Sequence, residues 1–574
     1  MEMIKGIAAS KGIGIGKALV FKESVDIGNI KGRKIFKDDT EEEIARLKRA
    51  FVDTAAKFDA AGVKAFEMLD EKDAQLFKAY QMVLHDPVFT DLISAKIVND
   101  LLCAEAAVLE AVEEIIQMFQ AIENEYMKQR AADIENVGKT VINSMLGREA
   151  VNLSRLDEDF ILIAEDLTPA DTVILDKRHI KGFALENGGV TSHTSILART
   201  LEIPAVVGCG AIIREISVGE ILVIDGEAGT LIRKPGPKDI GEYTSRIRKY
   251  NEEREKLEKL REEPAVTLDG TGVKLVGNIE RPEGARAVLE EGGDGIGLFR
   301  TEFLYLDRSR LPSEAEQFQA YKKVVETMGG RPCIIRTMDI GGDKKLPCIG
   351  IPDEENPFLG YRAIRICLNE VEMFKTQIRA ILRASSFGNV KMMFPMISVL
   401  AELREAKGIV VEVKDKLEKE GIEFDVNIKT GVMIEVPSAA MAADLFAREA
   451  DFFSIGSNDL CQYMLAADRM SKHVNYLYDP LNIGVLRLIK QVIDKGHENH
   501  IQVGMCGEMA SNPDNAAILL GFGLDEFSMV PAAIPPIKKV IRNLSFQKAK
   551  AIGEAVLTME NSKEISNYIK EESC

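Results

Sequence analysis

The sequence predicts a multidomain α/β protein: an α/β domain carrying an inserted helical bundle, then a helical linker, then a C-terminal (β/α)8 TIM barrel. Three observations carry this reading. Short apolar runs broken by glycine stand on both sides of a long stretch with helical period. A densely charged helix then ends at Pro264. Beyond it, one strand-then-helix unit repeats eight times. The length agrees, since 574 residues at about 150 per domain give three to four domains.

Residues 1–24 (IKGIAASKGIGIGKALVF at their centre) alternate apolar residues with glycine and read as one or two strands. From Thr40 to about Leu146 the period turns helical, with Ile44, Leu47, Phe51, Ala55 and Phe58 recurring at three and four residues. Thr40 and Glu43 have the spacing of a capping box, and His85, Asp86 and Pro87 punctuate the block. Residues 25–148 therefore form a helical insert. Strand texture returns at FILIAEDL (160–167), GFALENGG (182–189), PAVVG (204–208) and EILVIDG (220–226), with one short helix between. Residues 1–24 and 149–234 thus make one α/β domain. Residues 235–264 open on PGPK and continue as a helix with charges of both signs, the pattern of a solvated linker.

In 265–574 the eight strand candidates are 274–279, 295–300, 333–337, 391–395, 431–435, 452–457, 502–506 and 526–530. A barrel of this kind takes about 250 residues and works at the C-terminal ends of its strands. Those ends carry Asn278, Arg300, Arg336, Glu435, Asn458 with Asp459, and Cys506. Packing alone does not call for such a set.

Composition narrows the partners. The net charge of −18 repels a phosphate backbone, and no basic stripe offsets it, so nucleic acid is not expected. The longest run without Asp, Glu, Lys or Arg is twelve residues, Asn187 to Ala198, short of the ~20 apolar residues of a membrane-spanning helix. Glu2, Lys5 and Lys11 interrupt the place of a signal-peptide core. The eight cysteines show no Cys-x-x-Cys pair, which argues against a disulfide framework or a zinc site and suggests a reduced, cytoplasmic protein.

Two places carry chemistry. GGVTSHTSILAR (188–199) sets His193 between a glycine loop and a short helix, where free N–H groups and the helix dipole favour a phosphate. A neutral imidazole there is a competent nucleophile; the plainer reading is a capping histidine, and the flanking Gly, Ser and Thr favour the former. In the barrel, Arg300 and Arg336 end neighbouring strands, so two guanidinium forks would converge on one small anion. Glu435 and Asp459 supply hard oxygens suited to Mg²⁺, a structural ion pair being the alternative. Cys506 either donates a proton or packs.

These residues sit in long motifs: GIAASKGIGIGKA, GGVTSHTSILART, LEIPAVVG, GIGLFRTEFL, EVPSAA, FFSIGSNDL and GMCGEMA. Together they resemble Enzyme I of the bacterial sugar phosphotransferase system, the phosphoenolpyruvate-protein phosphotransferases, over essentially the whole length. The resemblance implies a phosphohistidine domain in which His193 is phosphorylated and Thr172 orients its ring. It implies that Arg300, Arg336, Arg469 and Asn458 grip phosphoenolpyruvate, that Glu435 and Asp459 hold Mg²⁺, and that Cys506 protonates the departing enolate to pyruvate. It further implies transfer from His193 to the phosphocarrier protein HPr, docked on the helical insert near acidic positions such as Glu67, Asp70, Glu71 and Asp73. The barrel is expected to make a homodimer. A pyruvate phosphate dikinase or phosphoenolpyruvate synthase shares the histidine domain and barrel, but needs an ATP-binding domain for which this chain shows no P-loop and no spare length. A non-catalytic regulator that binds the carrier would not need this full set of reactive residues.

Overall fold

The computed structural model describes residues 2–21, 30–68, 71–120, 125–146, 158–165, 167, 179–189, 193–200, 203–306, 308, 310–342 and 354–572. The chain divides into two compact units, Met1–Glu253 and Arg254–Cys574.

The first unit is built on an eight-stranded sheet of β1 (Glu2–Lys5), β2 (Ile7–Ser10), β3 (Ile13–Phe21), β4 (Phe160–Ala164), β5 (Ile180–Leu185), β6 (Ala205–Val207), β7 (Ile221–Asp225) and β8 (Thr230–Arg233). Their order is β1-β8-β7-β3-β4-β5-β6-β2, with β3 to β6 parallel and the flanking strands antiparallel. All five residues of β4 are buried, which is why FILIA reads as an unbroken apolar run and not as an alternation. Gly14 in β3 is required by close approach: a Cβ there would lie 1.9 Å from the carbonyl oxygen of Lys181.

The segment before residue 24 holds three strands, because Gly6 and Gly12 break it twice, and β8 was not foreseen at all. TLIR is short and ends in a charge, so it lacks a strand signature. It is held as a hairpin partner of β7 because Asp225 Oδ1 accepts the N–H groups of Glu227 and Ala228 at 3.1 and 3.0 Å.

Between β3 and β4 lie the helices Thr40–Met68, Glu71–Leu84, Pro87–Asn99, Ala104–Gln120 and Glu125–Met145. Leu47, Phe58, Tyr80, Leu84, Ile93 and Val141 are among the side chains of their shared core. Asp86 caps the third of these helices by accepting the Val88 N–H at 2.8 Å, with Pro87 in the first turn. The expected Thr40–Glu43 capping box is absent. Thr40 is already helical and its hydroxyl donates to the Lys37 carbonyl at 2.7 Å, while Glu43 accepts the Ala104 N–H at 2.7 Å and pairs with Arg46 at 2.6 Å. A tertiary partner outbid the local one.

The charged helix Pro237–Leu260 buries no residue. Its Arg246 pairs at 2.7 Å with Asp225, whose side chain is buried. The second unit is a closed parallel barrel of β9 (Lys274–Ile279), β10 (Ile296–Phe299), β11 (Cys333–Arg336), β12 (Val390–Phe394), β13 (Lys429–Ile434), β14 (Phe452–Ile455), β15 (Gln502–Met505) and β16 (Glu526–Met529), with β16 paired to β9. Leu298, Ile334, Met393, Met433, Phe452 and Cys506 fill its interior. A larger apolar layer separates the strands from the surrounding helices.

Candidate active site

A cavity of about 790 Å³ opens at the strand C-termini, and Arg300, Arg336, Glu435, Asn458, Asp459, Arg469 and Cys506 all line it. All but Arg469 arrive there because a parallel strand ends on that face and the chain turns outward; Arg469 lies in the segment beyond the helix Ser457–Leu465. Arg336 is the last residue of β11, and Arg300 follows β10 directly. Asn458 and Asp459 lie in the first turn of the helix Ser457–Leu465 after β14.

The charges are organised in a buried chain. Arg336 Nη2 meets Glu302 at 3.0 Å and its Nη1 meets Asp339 at 3.0 Å. Arg362 Nη2 pairs with Asp339 at 2.9 Å and with Asp459 at 3.4 Å, and its Nη1 donates to the Tyr463 hydroxyl at 3.0 Å. Burial works against both guanidinium charges, but the carboxylates around them prevail and hold each above its ordinary value. The Nε–H of each remains unpartnered and buried among the described residues, so donor capacity is left for an anion. Arg300 is more open and meets Glu280 at 2.6 Å.

Glu435, just past β13, is buried and accepts the Met396 N–H at 2.6 Å. Met396 holds φ at +57° to present that donor, a strained setting of the kind found at functional sites. Burial, then the charges of Asp459 and Asp339, raise the Glu435 carboxyl to about 8 against the pull of Arg336 and Arg362. Burial also raises the Cys506 thiol, to about 11, so it is protonated at neutral pH. Its Sγ lies 3.8 Å from the Ile455 carbonyl, and Asn278 Nδ2 donates to the Cys506 carbonyl at 3.0 Å.

Four acidic side chains (Glu302, Asp339, Glu435 and Asp459) therefore face two buried arginines. A divalent cation there would favour the ionised form of Glu435 and offset the crowding of carboxylates, and the donors are hard oxygens. Among the described residues no group of three His, Cys, Asp or Glu ligands forms, so two carboxylates would leave the remaining positions to substrate and water, the Mg²⁺ habit.

In the first unit His193 opens the helix His193–Thr200. The start of that helix is tied to Gly189 by Ser195 Oγ donating to its carbonyl at 2.7 Å, and to Leu167, beyond β4, by Thr194 Oγ1 donating to its carbonyl at 3.0 Å. The His193 side chain and Thr172 lie outside the described residues, as do Asp70 and the side chains of Glu67, Glu71 and Asp73. Sequence reasoning missed Glu302, Asp339 and Arg362. Asp339 offered a faint signal, three residues beyond Arg336; Arg362 sits far along a connection with no period to mark it.

Comparison with known proteins decides the family. The family described as PEP-utilising enzyme matches in three parts: the N-terminal domain over 5–130, the mobile domain over 156–229 and the PEP-binding domain over 254–546. The phosphoenolpyruvate-protein phosphotransferase of Geobacillus stearothermophilus is 47% identical over 99% of this chain and 98% of its own. That of Bacillus subtilis is 46% identical, with 100% of both chains covered. The chain belongs to the phosphoenolpyruvate-protein phosphotransferase family, Enzyme I. It is an enzyme, a phosphotransferase. A solved structure described as an NMR solution structure of Enzyme I is 37% identical and covers 43% of this chain and 99% of its own at a TM-score of 0.39. Enzymes of this family need a divalent metal. Among the described residues no helix is long and apolar enough to cross a membrane.

Proposed function

We propose that the barrel cavity loads His193 with the phosphoryl group of phosphoenolpyruvate and that His193 passes it to a histidine of HPr, the entry step of sugar phosphotransfer. The observation that carries this is the convergence of seven sequence-named side chains, carried past the C-terminal ends of five barrel strands, on one cavity. Arg300, Arg336, Arg469 and Asn458 hold the phosphate and carboxylate of the substrate by charge-assisted hydrogen bonds. Glu435 and Asp459 would hold Mg²⁺, which neutralises charge on the transferring group.

The bond from the bridging oxygen to phosphorus breaks as a bond from the His193 imidazole to phosphorus forms, with Thr172 orienting the ring. The enolate left behind takes the Cys506 thiol proton on carbon and becomes pyruvate, and the thiolate regains a proton from water. Most of the acceleration in such a transfer is positioning and charge stabilisation.

Residues 1–24 and 149–234 form the phosphohistidine domain in this reading, 25–148 the carrier-docking domain, 235–264 the linker and 265–574 the substrate domain, which also dimerises. The acidic positions Glu67, Asp70, Glu71 and Asp73 would speed encounter with a basic carrier surface. The test is pyruvate release from phosphoenolpyruvate and Mg²⁺ with and without purified HPr. Release limited to about one equivalent without HPr, and continuous with HPr and a downstream phosphate acceptor, supports the reading. Release indifferent to HPr refutes it.

A further inference from the structure

Gln377 lies on the helix Val371–Ser385, is buried to 1% exposure, and touches neither the cavity nor any charged group named above. A buried primary amide is costly unless its donors and acceptor are satisfied, and an apolar side chain of the same size would fill the space without that demand. Here three of its hydrogen bonds are made. Its Oε1 accepts the Met338 N–H at 2.9 Å, and its Nε2 donates to Thr301 Oγ1 at 3.0 Å and to the Tyr321 hydroxyl at 3.2 Å. Thr301 Oγ1 in turn donates to the Arg336 carbonyl at 3.0 Å.

The positions of these partners give the amide its meaning. Thr301 follows Arg300, and Met338 is two residues past Arg336, so one side chain binds both segments that carry the arginines out of the barrel. The β10–β11 ladder is irregular on the approach to them: Ile296 pairs with Cys333 and Phe299 with Ile335, so β10 carries an extra residue between Ile296 and Phe299. Past the last ladder pair, Phe299 with Ile335, Thr301 and Gln377 carry the link between the two segments. The amide is itself braced, because Tyr321 donates to Gln317 Oε1 at 3.1 Å and Tyr305 donates to the same oxygen at 3.2 Å, all of them buried.

We infer that Gln377 is a positioning residue for the substrate arginines, acting through Thr301 to fix how far Arg300 and Arg336 reach into the cavity relative to each other. The inference rests on the reading that these arginines receive phosphoenolpyruvate. An error of about 1 Å in such a clamp costs on the order of a hundredfold in rate.

The test uses the full chain with Gln377→Met, Thr301→Val, Thr301→Ser, the Gln377→Met/Thr301→Val double variant and Arg336→Ala. Steady-state pyruvate release is measured alongside exchange of phosphate between His193 and phosphorylated HPr, which does not use the barrel. Gln377→Met is expected to lower kcat/KM for phosphoenolpyruvate by about ten- to a hundredfold, with KM raised and carrier exchange unchanged. Thr301→Val should do the same and Thr301→Ser, which keeps the hydroxyl, should restore it. The double variant should lose little more than the worse single one, since both break one link. A folded Gln377→Met with kcat/KM within twofold of the parent overturns the inference. Should that variant fail to fold, equal activity of Thr301→Val and Thr301→Ser overturns it instead. Full activity of Arg336→Ala would overturn the underlying site reading, a result that the Gln377 and Thr301 arms do not mimic.

Discussion

Cys506 belongs to the apolar barrel interior and also lines the charged cavity, a place compatible with both readings the sequence left open, packing and acid catalysis. Burial raises its thiol to about 11, so the proton-bearing form persists across the neutral and mildly alkaline range. Cys506→Ala should slow pyruvate release by about a hundredfold or more and leave exchange with phosphorylated HPr unchanged. The wild-type rate should show no loss with an apparent pKa of about 8.5, the value of an ordinary cysteine, because the thiol here titrates higher. A pH–rate profile from about pH 7 to about pH 9.5 checks this; a fall centred near that ordinary value would contradict it. The strand-end residues were legible because a polar or reactive side chain at the end of an apolar run has no packing reason to be there. Glu302, Asp339 and Arg362 were not, since connecting segments have no period, and their value lies in contacts made across the cavity.

At the scale of elements, the apolar runs from 274 to 530 matched the eight barrel strands to within a residue or two, because strands covered on both faces read as continuous apolar segments between turn residues. Local signals failed where a distant partner intervened, as when Ala104 took the Glu43 carboxylate from Thr40. Asp269 is another long-range partner. It accepts the Phe546 and Gln547 N–H groups at 2.8 and 3.2 Å and the Thr267 hydroxyl at 2.5 Å, so it caps the helix Phe546–Val556 from the far end of the barrel sequence. The Thr267 hydroxyl and those backbone donors hold its carboxyl down to about 2. A carboxyl depressed in the folded state stabilises above its unfolded value and ceases to do so as pH falls through the folded one. Asp269→Asn should therefore lower the Tm of the barrel unit at pH 7, and the gap from wild type should close between about pH 4 and about pH 2. Thermal unfolding across that range tests it, and a gap independent of pH would show that the carboxylate charge is not what holds the cap.

For the molecule as a whole, the division at Glu253 and Arg254 falls inside an exposed, charged helix, and the two groups of residues that the proposed reaction joins lie in different units. His193 opens a helix in the first unit. The arginines, carboxylates and thiol line a cavity in the second. The expectation of a linker there came from composition, because the helix carries charges of both signs and lacks an apolar face. The reading of His193 rests on the glycine, serine and threonine that flank it, whereas Thr172 stands apart from it in sequence and was named only through family resemblance. An account in which one imidazole is loaded by the barrel and unloaded onto a carrier requires the phosphoryl group to rest on His193 between the two events. The direct measurement is the site of labelling after brief exposure to phosphorus-labelled phosphoenolpyruvate and Mg²⁺. The account predicts about one acid-labile, base-stable phosphate per chain on His193, with none in His193→Ala. It also predicts that Arg336→Ala is labelled by phosphorylated HPr but not by phosphoenolpyruvate. Label that persists in His193→Ala, or that resides on another residue, would contradict it.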